Sequence, residues 1–287
     1  MEPMDVRSTE VLGVPITVTE DWRRSAARLR DDNMEPLDVR SAEVLGVPIT
    51  CFASPDQAAD VLVRRAREGA KTFCMAINPE KVCFARKDPS FGRIVRKANV
   101  HICDGIGTAL AVRLLERRRI PRVTGVGLFF GLLAAAEREG LSVFLLGAKP
   151  ETNEKAVAVL RSRYPNLKIA GRRHGYFDDS GDVVDEINAS GADFLFAALG
   201  SPRQERWLDA NVAGLNVPVC MGVGGSFDIL SGHVKRAPAL CQKTGTEFLY
   251  RLVCEPRRWR RQLVLPSFGL RVLWEALVAR AAPDIAK

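Results

Sequence analysis

Asp104 stands between an apolar run, Val100-His101-Ile102-Cys103, and the flexible stretch Gly105-Ile106-Gly107. The two glycines let the backbone turn tightly and leave room for a ligand beside the carboxylate. A carboxylate in that position can take a proton from a sugar hydroxyl as the hydroxyl attacks. It can equally cap the helix that follows, since Asp is favoured at helix N-caps. Both readings stay open on this loop alone.

A second constellation is Gly200-Ser201-Pro202-Arg203-Gln204-Glu205. An apolar run stops at the glycine, Pro opens a helix, and Arg203 and Gln204 fall in its first turn beside free backbone N–H groups. Such a turn suits a phosphate, and Gln204 offers both a donor and an acceptor to a base or sugar; a plain helix start with solvated polar residues is the alternative. Gly222-Val223-Gly224-Gly225-Ser226-Phe227-Asp228 has the look of a phosphate loop but is neither GxGxxG nor a Walker A sequence. The acidic stretch Asp178-Asp179-Ser180-Gly181-Asp182 reads as a turn and helix N-terminus rather than a cation site.

These residues need elements to hold them. Apolar runs at 72–77, 100–103, 142–146, 168–170, 194–199 and 218–222 read as strands. They alternate with helical stretches at 56–68, from 79 onward, and at 106–117, 127–138, 151–163, 182–189 and 203–211. Continuous apolar strands separated by helices predict an α/β fold, a Rossmann-like and mostly parallel sheet with helices on both faces. Ligands of such sheets bind beyond the carboxyl ends of the strands, where the loops carrying Asn78, Asp104, Gly147, Gly200 and Gly222 must gather.

The chain has 287 residues, 47% hydrophobic and 26% charged, enough for one large domain with an appendage. The first residues are acidic and lack an apolar h-region, and no run of eighteen apolar residues suggests a membrane span. Seven scattered cysteines without a CxxC pair read as reduced core thiols of a cytoplasmic protein, and three histidines without ligand spacing give no zinc site. The net charge is +8, and half of it falls beyond residue 245, where eight Lys/Arg face four Asp/Glu. That tail reads Arg257-Arg258-Trp259-Arg260-Arg261, then apolar residues with Phe268 and Trp274. Arginines interleaved with Trp and Leu fit a segment that meets anionic lipid heads, and an ordinary C-terminal helix packed on the core is the alternative.

Residues 1–17 recur as residues 34–50, with changes only at Met4/Leu37 and Thr9/Ala42. One pair of copies is too short for a solenoid. The second copy is expected to begin the folded domain, its Val44-Leu45-Gly46-Val47-Pro48-Ile49 forming an edge strand or strand entry. The expected organisation is a loosely docked arm over 1–36 with a helix-like stretch at 21–29, a catalytic α/β domain over 37–245, and a basic helical appendage over 246–287.

In this order the motifs resemble the WecG/TagA/CpsF family of bacterial glycosyltransferases. They are Ile77-Asn78-Pro79-Glu80, Asp104-Gly105-Ile106-Gly107, Arg122-Val123-Thr124-Gly125, Phe144-Leu145-Leu146-Gly147, Gly175-Tyr176-Phe177, the two loops at 199–205 and 222–228, Gly232-His233-Val234-Lys235-Arg236-Ala237-Pro238, and Glu247-Phe248-Leu249-Tyr250-Arg251-Leu252 with Glu255-Pro256-Arg257-Arg258. The resemblance spans about residues 45–277. It implies an inverting transfer from a UDP-sugar, of N-acetylmannosamine, N-acetylmannosaminuronic acid or glucuronic acid type, to a polyprenyl-diphosphate-linked saccharide. The work is done at the inner face of the plasma membrane, in cell-wall or exopolysaccharide synthesis. By the same likeness Asp104 falls on the proposed general base, and Asn78 and Arg122 on pocket positions, Arg122 meeting diphosphate. Tyr176, Gln204 and Asp228 match positions of the nucleotide-sugar site, and Arg251, Arg258 and Arg261 match an appendage that closes over the pocket and contacts the membrane. Some relatives have Thr two residues before the pocket Asn, where this chain has Ala76.

Charge developing on a leaving UDP needs a metal or fixed cations. With no DxD-type pair in the sequence, Arg122 and the tail arginines are the candidates and no cofactor is expected. Two other classes compete: a nucleotide-dependent oxidoreductase, against which the missing GxGxxG counts, and a nucleic-acid-binding protein, against which the concentration of charge in the tail counts. Whether the chain forms homo-oligomers is left open by its sequence.

Overall fold

The computed structural model describes the backbone of residues 9–11, 14–16, 39–256 and 259–281, without the side chains of the two short N-terminal strands or of residues 243, 261 and 279–281. The first described unit is a hairpin, β1 (Thr9–Val11) with β2 (Val14–Ile16). A second hairpin, β3 (Ser41–Val44) with β4 (Val47–Thr50), follows in the repeated segment. Its register pairs Val44 with Val47 and Glu43 with Pro48, and the first hairpin pairs the corresponding Val11 with Val14 and Glu10 with Pro15. In the second hairpin the turn residues Leu45 and Gly46 both have positive φ, 51° and 83°. That is the backbone a two-residue hairpin turn requires. The expected edge strand of the main sheet is therefore a separate two-stranded unit, with Val44, Leu45, Val47 and Ile49 buried beneath it. The helix-like stretch at 21–29 lies outside the described residues.

From α1 (Pro55–Arg67) the chain alternates: β5 (Thr72–Ile77), α2 (Pro79–Lys87), α3 (Pro89–Lys97), β6 (Val100–Cys103), α4 (Ile106–Leu115), α5 (Gly125–Glu139), β7 (Ser142–Gly147), α6 (Pro150–Arg163), β8 (Lys168–Arg173). It continues with α7 (Ser180–Ser190), β9 (Phe194–Ala198), α8 (Arg203–Asn211), β10 (Val219–Gly222) and α9 (Ser226–Leu230). The six strands β5 to β10 form one sheet in the order β6-β5-β10-β9-β7-β8, and every neighbouring pair is parallel.

Because successive side chains of a strand face opposite ways, the fully buried strands feed two cores. On one face Cys74, Ala76, Ile102, Leu145, Phe196 and Met221 pack with α1, α5, α6 and α9. On the other Phe73, Met75, Ile77, Cys103, Leu146, Leu195 and Cys220 pack with α2, α3, α4, α7, α8 and the second hairpin. Phe268 and Val272 of the C-terminal helix join this second core.

Two local devices hold the carboxyl edge. The buried Asn153 amide donates to the carbonyls of Leu145, Gly147 and Arg173, tying the ends of β7 and β8 together. Gly147 has φ of 118°, and a Cβ there would lie 2.5 Å from the carbonyl group of Ala198 on β9. Gly147→Ala is therefore expected to destabilise the fold by about 1–3 kcal/mol, read from the midpoint of urea unfolding.

The last segments are α10 (Ala239–Thr244), α11 (Glu247–Cys254), α12 (Trp259–Gln262) and α13 (Val264–Ala281). α13 buries Phe268, Val272 and Ala276, one residue per turn, against the core. Its other side exposes Leu270, Leu273, Trp274 and Leu277. The helix thus keeps apolar side chains exposed on the side away from the core, beside Arg271 and Glu275. Among the described residues no helix is long and apolar enough to cross a membrane.

Candidate active site

The ends of β5 and β6 open into a cavity of about 500 Å³ lined by Asn78, Asp104, Arg122 and Arg251 together with apolar side chains. Two half-sites build it. From the sheet come Asn78, the loop Asp104-Gly105-Ile106-Gly107, and Leu110 and Leu114 of α4. From the tail come Glu247, Phe248 and Arg251 of α11, and Val264, Leu265, Phe268 and Val272 of α13. The C-terminal segment is thus a wall of the cavity.

Asp104 is half-buried at the end of β6, with its backbone N–H bonded to the Ile77 carbonyl at 2.9 Å. It does not cap α4: Gly105 occupies that N-cap, at φ 89°, and α4 has no side-chain cap. Its carboxylate instead accepts the backbone N–H of Gly125, the first residue of α5. A Cβ on Gly125 would stand 3.7 Å from Asp104 Oδ2 and 3.2 Å from the Ala76 Cβ, so Ala76, Gly125 and Asp104 meet at one point. Burial pushes the Asp104 carboxyl above the ordinary range; Lys81 and Arg251 oppose the rise and Glu247 adds to it. A carboxylate raised in this way is a better proton acceptor near neutral pH.

Asn78 caps α2, its Oδ1 accepting the Lys81 N–H at 2.9 Å. That fixes the side chain at the cavity rim. Arg122 donates to the Gln242 carbonyl and lies 3.8 Å from Glu247 Oε2. It therefore ties the sheet to the tail segment at 239–247. Arg251 faces the same cavity. Arg258 lies outside the described residues; Arg261 falls in α12, and its side chain is outside the description.

The three residues matched to a nucleotide-sugar site do not line this cavity. Tyr176 is 62% exposed beyond the end of β8. Asp228 is half-buried in α9, where its carbonyl accepts the Val234 N–H. Gln204 is 2% exposed, and its amide is engaged within the protein: Nε2 donates to Glu205 Oε1 at 2.9 Å, and Oε1 accepts the Gly224 N–H at 3.0 Å. Arg203 lies over the Phe177 ring. Asp179 caps α7 by accepting the Gly181 N–H, the turn and helix start that the acidic stretch predicts.

Two charged residues to which the sequence reading gave no role belong to the site. Glu247 lines the cavity and bears on both Arg122 and Asp104. Lys81 is 8% exposed and forms an ion pair with Glu205 at 2.7 Å. The one signal for Lys81 in the sequence is its place three residues after an N-cap Asn, which turns it back toward the strand ends.

A parallel α/β sheet with an acid, an amide and arginines gathered at its carboxyl edge, under an apolar tail, has the layout of an enzyme cleft with both charged and apolar walls. The model of the Glycosyl transferase WecG/TagA/CpsF family matches residues 42–282. The chain belongs to that family and is a glycosyltransferase. It is 38% identical over 199 residues to an N-acetylglucosaminyldiphosphoundecaprenol N-acetyl-beta-D-mannosaminyltransferase of Bacillus subtilis (strain 168), covering 69% of this chain and 78% of the relative. It is 35% identical over 201 residues to the enzyme of the same name from Bacillus spizizenii (strain ATCC 23059 / NRRL B-14472 / W23), covering 70% and 78%.

Proposed function

We propose that this enzyme transfers an N-acetylmannosaminyl-type sugar from its UDP conjugate to a saccharide on a polyprenyl diphosphate, with inversion, at the inner face of the plasma membrane. The observation that carries the reading is Asp104, its carboxyl raised by burial, in a cavity that also presents Asn78, Arg122 and Arg251. In this reaction Asp104 takes the proton of the acceptor hydroxyl as its oxygen attacks the anomeric carbon. The glycosyl–phosphate bond breaks, the electron pair leaves on UDP, and fixed guanidinium groups offset the charge.

The acceptor accounts for the apolar half of the cavity. Leu110 and Leu273 both line it and are exposed, so the cavity opens onto the apolar face of α13. A polyprenyl chain lying along that face would bring its diphosphate to the mouth of the cavity. The same face, with the tail arginines, supports peripheral binding to an anionic bilayer. Tyr176, Asp228 and the loop tied by Gln204 are kept as the nucleotide side of the site, beyond the ends of β7 to β10. The two relatives' names support mannosamine as the donor sugar.

A panel of UDP-sugars tested against a short-chain N-acetylglucosaminyl-diphospholipid decides the specificity. UDP-N-acetylmannosamine is expected to give the fastest product formation. Preference for a glucuronic acid donor would overturn the choice of sugar, and reaction with no diphospholipid acceptor would overturn the choice of acceptor.

A further inference from the structure

The two halves of the proposed site stand on different strands. Asn78 and Asp104 follow β5 and β6, whereas Gln204 and the Gly222–Gly224 loop follow β9 and β10. β10 lies between β5 and β9 in the sheet. One chain of buried polar contacts crosses its end. Lys81 Nζ of α2 meets Glu205 Oε1 of α8 at 2.7 Å, Gln204 Nε2 donates to the same oxygen at 2.9 Å, and Gln204 Oε1 accepts the Gly224 N–H at 3.0 Å. The Gln204 side chain passes so close over β10 that a Cβ on Gly222 would lie 2.5 Å from its Nε2.

We propose that Lys81, held by Glu205, is a positioning residue for the transfer reaction: a buried cation beside Asp104 that joins the half of the site carrying the base to the half carrying the Gln204 loop. The proposal rests on the reading of Asp104 as the base. Buried ion pairs are weak devices for stability, because apolar residues of similar volume do as well. This pair lies instead where its charge bears on a carboxylate in the cavity.

The groups facing Asp104 are Lys81 from α2, Arg251 and Glu247 from α11, the N–H of Gly125 from α5, and Cys103 beneath it on β6. Arg122 and Glu80 line the same cavity. Of these, Lys81 is the cation that bears most on Asp104. Lys81 favours the ionised carboxylate, and Glu205 limits that effect by partly neutralising Lys81. Removing one or the other must move Asp104 in opposite directions.

The test follows the carboxyl titration of Asp104 by 13C NMR in the full chain, the resonance being the one lost in Asp104→Asn. The pH profile of kcat is measured beside it with UDP-N-acetylmannosamine and the short-chain N-acetylglucosaminyl-diphospholipid. Lys81→Met is expected to move both the titration and the acid limb of kcat to higher pH, by about one unit. Glu205→Gln is expected to move them to lower pH, and Lys81→Arg to restore the native position. If Lys81→Met fails to fold because it strands a buried Glu205, the double variant Lys81→Met/Glu205→Gln leaves no lone charge and is expected to shift upward. Unmoved titrations in folded variants, or shifts of the same sign from Lys81→Met and Glu205→Gln, overturn the proposal. A fully active Asp104→Asn overturns the base reading instead, and the NMR titrations still report on Lys81.

Discussion

Replacing Asp104 by Asn is expected to lower kcat by about 10²–10⁴-fold while UDP binding stays near native. Asn keeps the size of the side chain and an oxygen for the Gly125 N–H, and the cap of α5, Thr124, is untouched. What is lost is the ability to accept a proton. The variant should also reveal a sign in stability. Burial raises the Asp104 pKa in the folded protein. The native chain therefore has its full stability below the pKa of the unfolded carboxyl and loses some as pH rises through the raised value. Asn has no such loss, so at neutral pH the inactive variant should melt no lower than the native enzyme. Differential scanning calorimetry beside initial-rate assays reads both quantities; near-native turnover would remove Asp104 as base.

Truncation after Thr246 is the second large effect. It removes Glu247, Phe248 and Arg251, along with Phe268 and Val272, from the cavity wall. Loss of one preorganised donor to a developing oxyanion costs about 10²–10³-fold in kcat, so a fall of at least that size is expected. The core on the α1–α5–α6–α9 face is built wholly from residues preceding the cut, so the sheet is expected to stay folded. The other core loses Phe268 and Val272 and should melt at a lower temperature. Vesicle flotation with anionic lipid is expected to show weaker binding of the shortened chain. Full activity after truncation would mean that the tail wall takes no part in the reaction.

Most strands were legible because they are short apolar runs ending at or next to Asp, Gly or Asn, and the reading of residues 72–77 and 100–103 as strands coincides with β5 and β6; β8 was read only over 168–170 because its second half, Gly171-Arg172-Arg173, is not apolar. α8 was equally legible at 203–211, since Pro202 marks its start. α3 was not. Asp88 ends α2 and caps α3 at once, so two helices of nine residues abut without a linker that the pattern could show. The position of Asp104 was legible, but its partner was not: the carboxylate serves α5, some twenty residues on, rather than the helix beside it. Gln204 showed the opposite difficulty. Its place in a first turn was right, but only the close approach of Gly222 reveals that the side chain is turned inward. Lys81 escaped notice because a lone lysine reads as surface until its carboxylate partner, more than a hundred residues away, is seen.

The repeated N-terminal segment has a consequence for how the chain tolerates change. Val44, Leu45, Val47 and Ile49 close one flank of the core, and the same four residue types recur in the sequence at 11, 12, 14 and 16, where β1 and β2 pair in the same register. The sequence of this flank of the core is therefore written twice in the chain. A charged substitution at Val47 should be buffered in the full chain and damaging in one that starts at Met34, so the hairpin is a place where genetic redundancy exists within a single polypeptide.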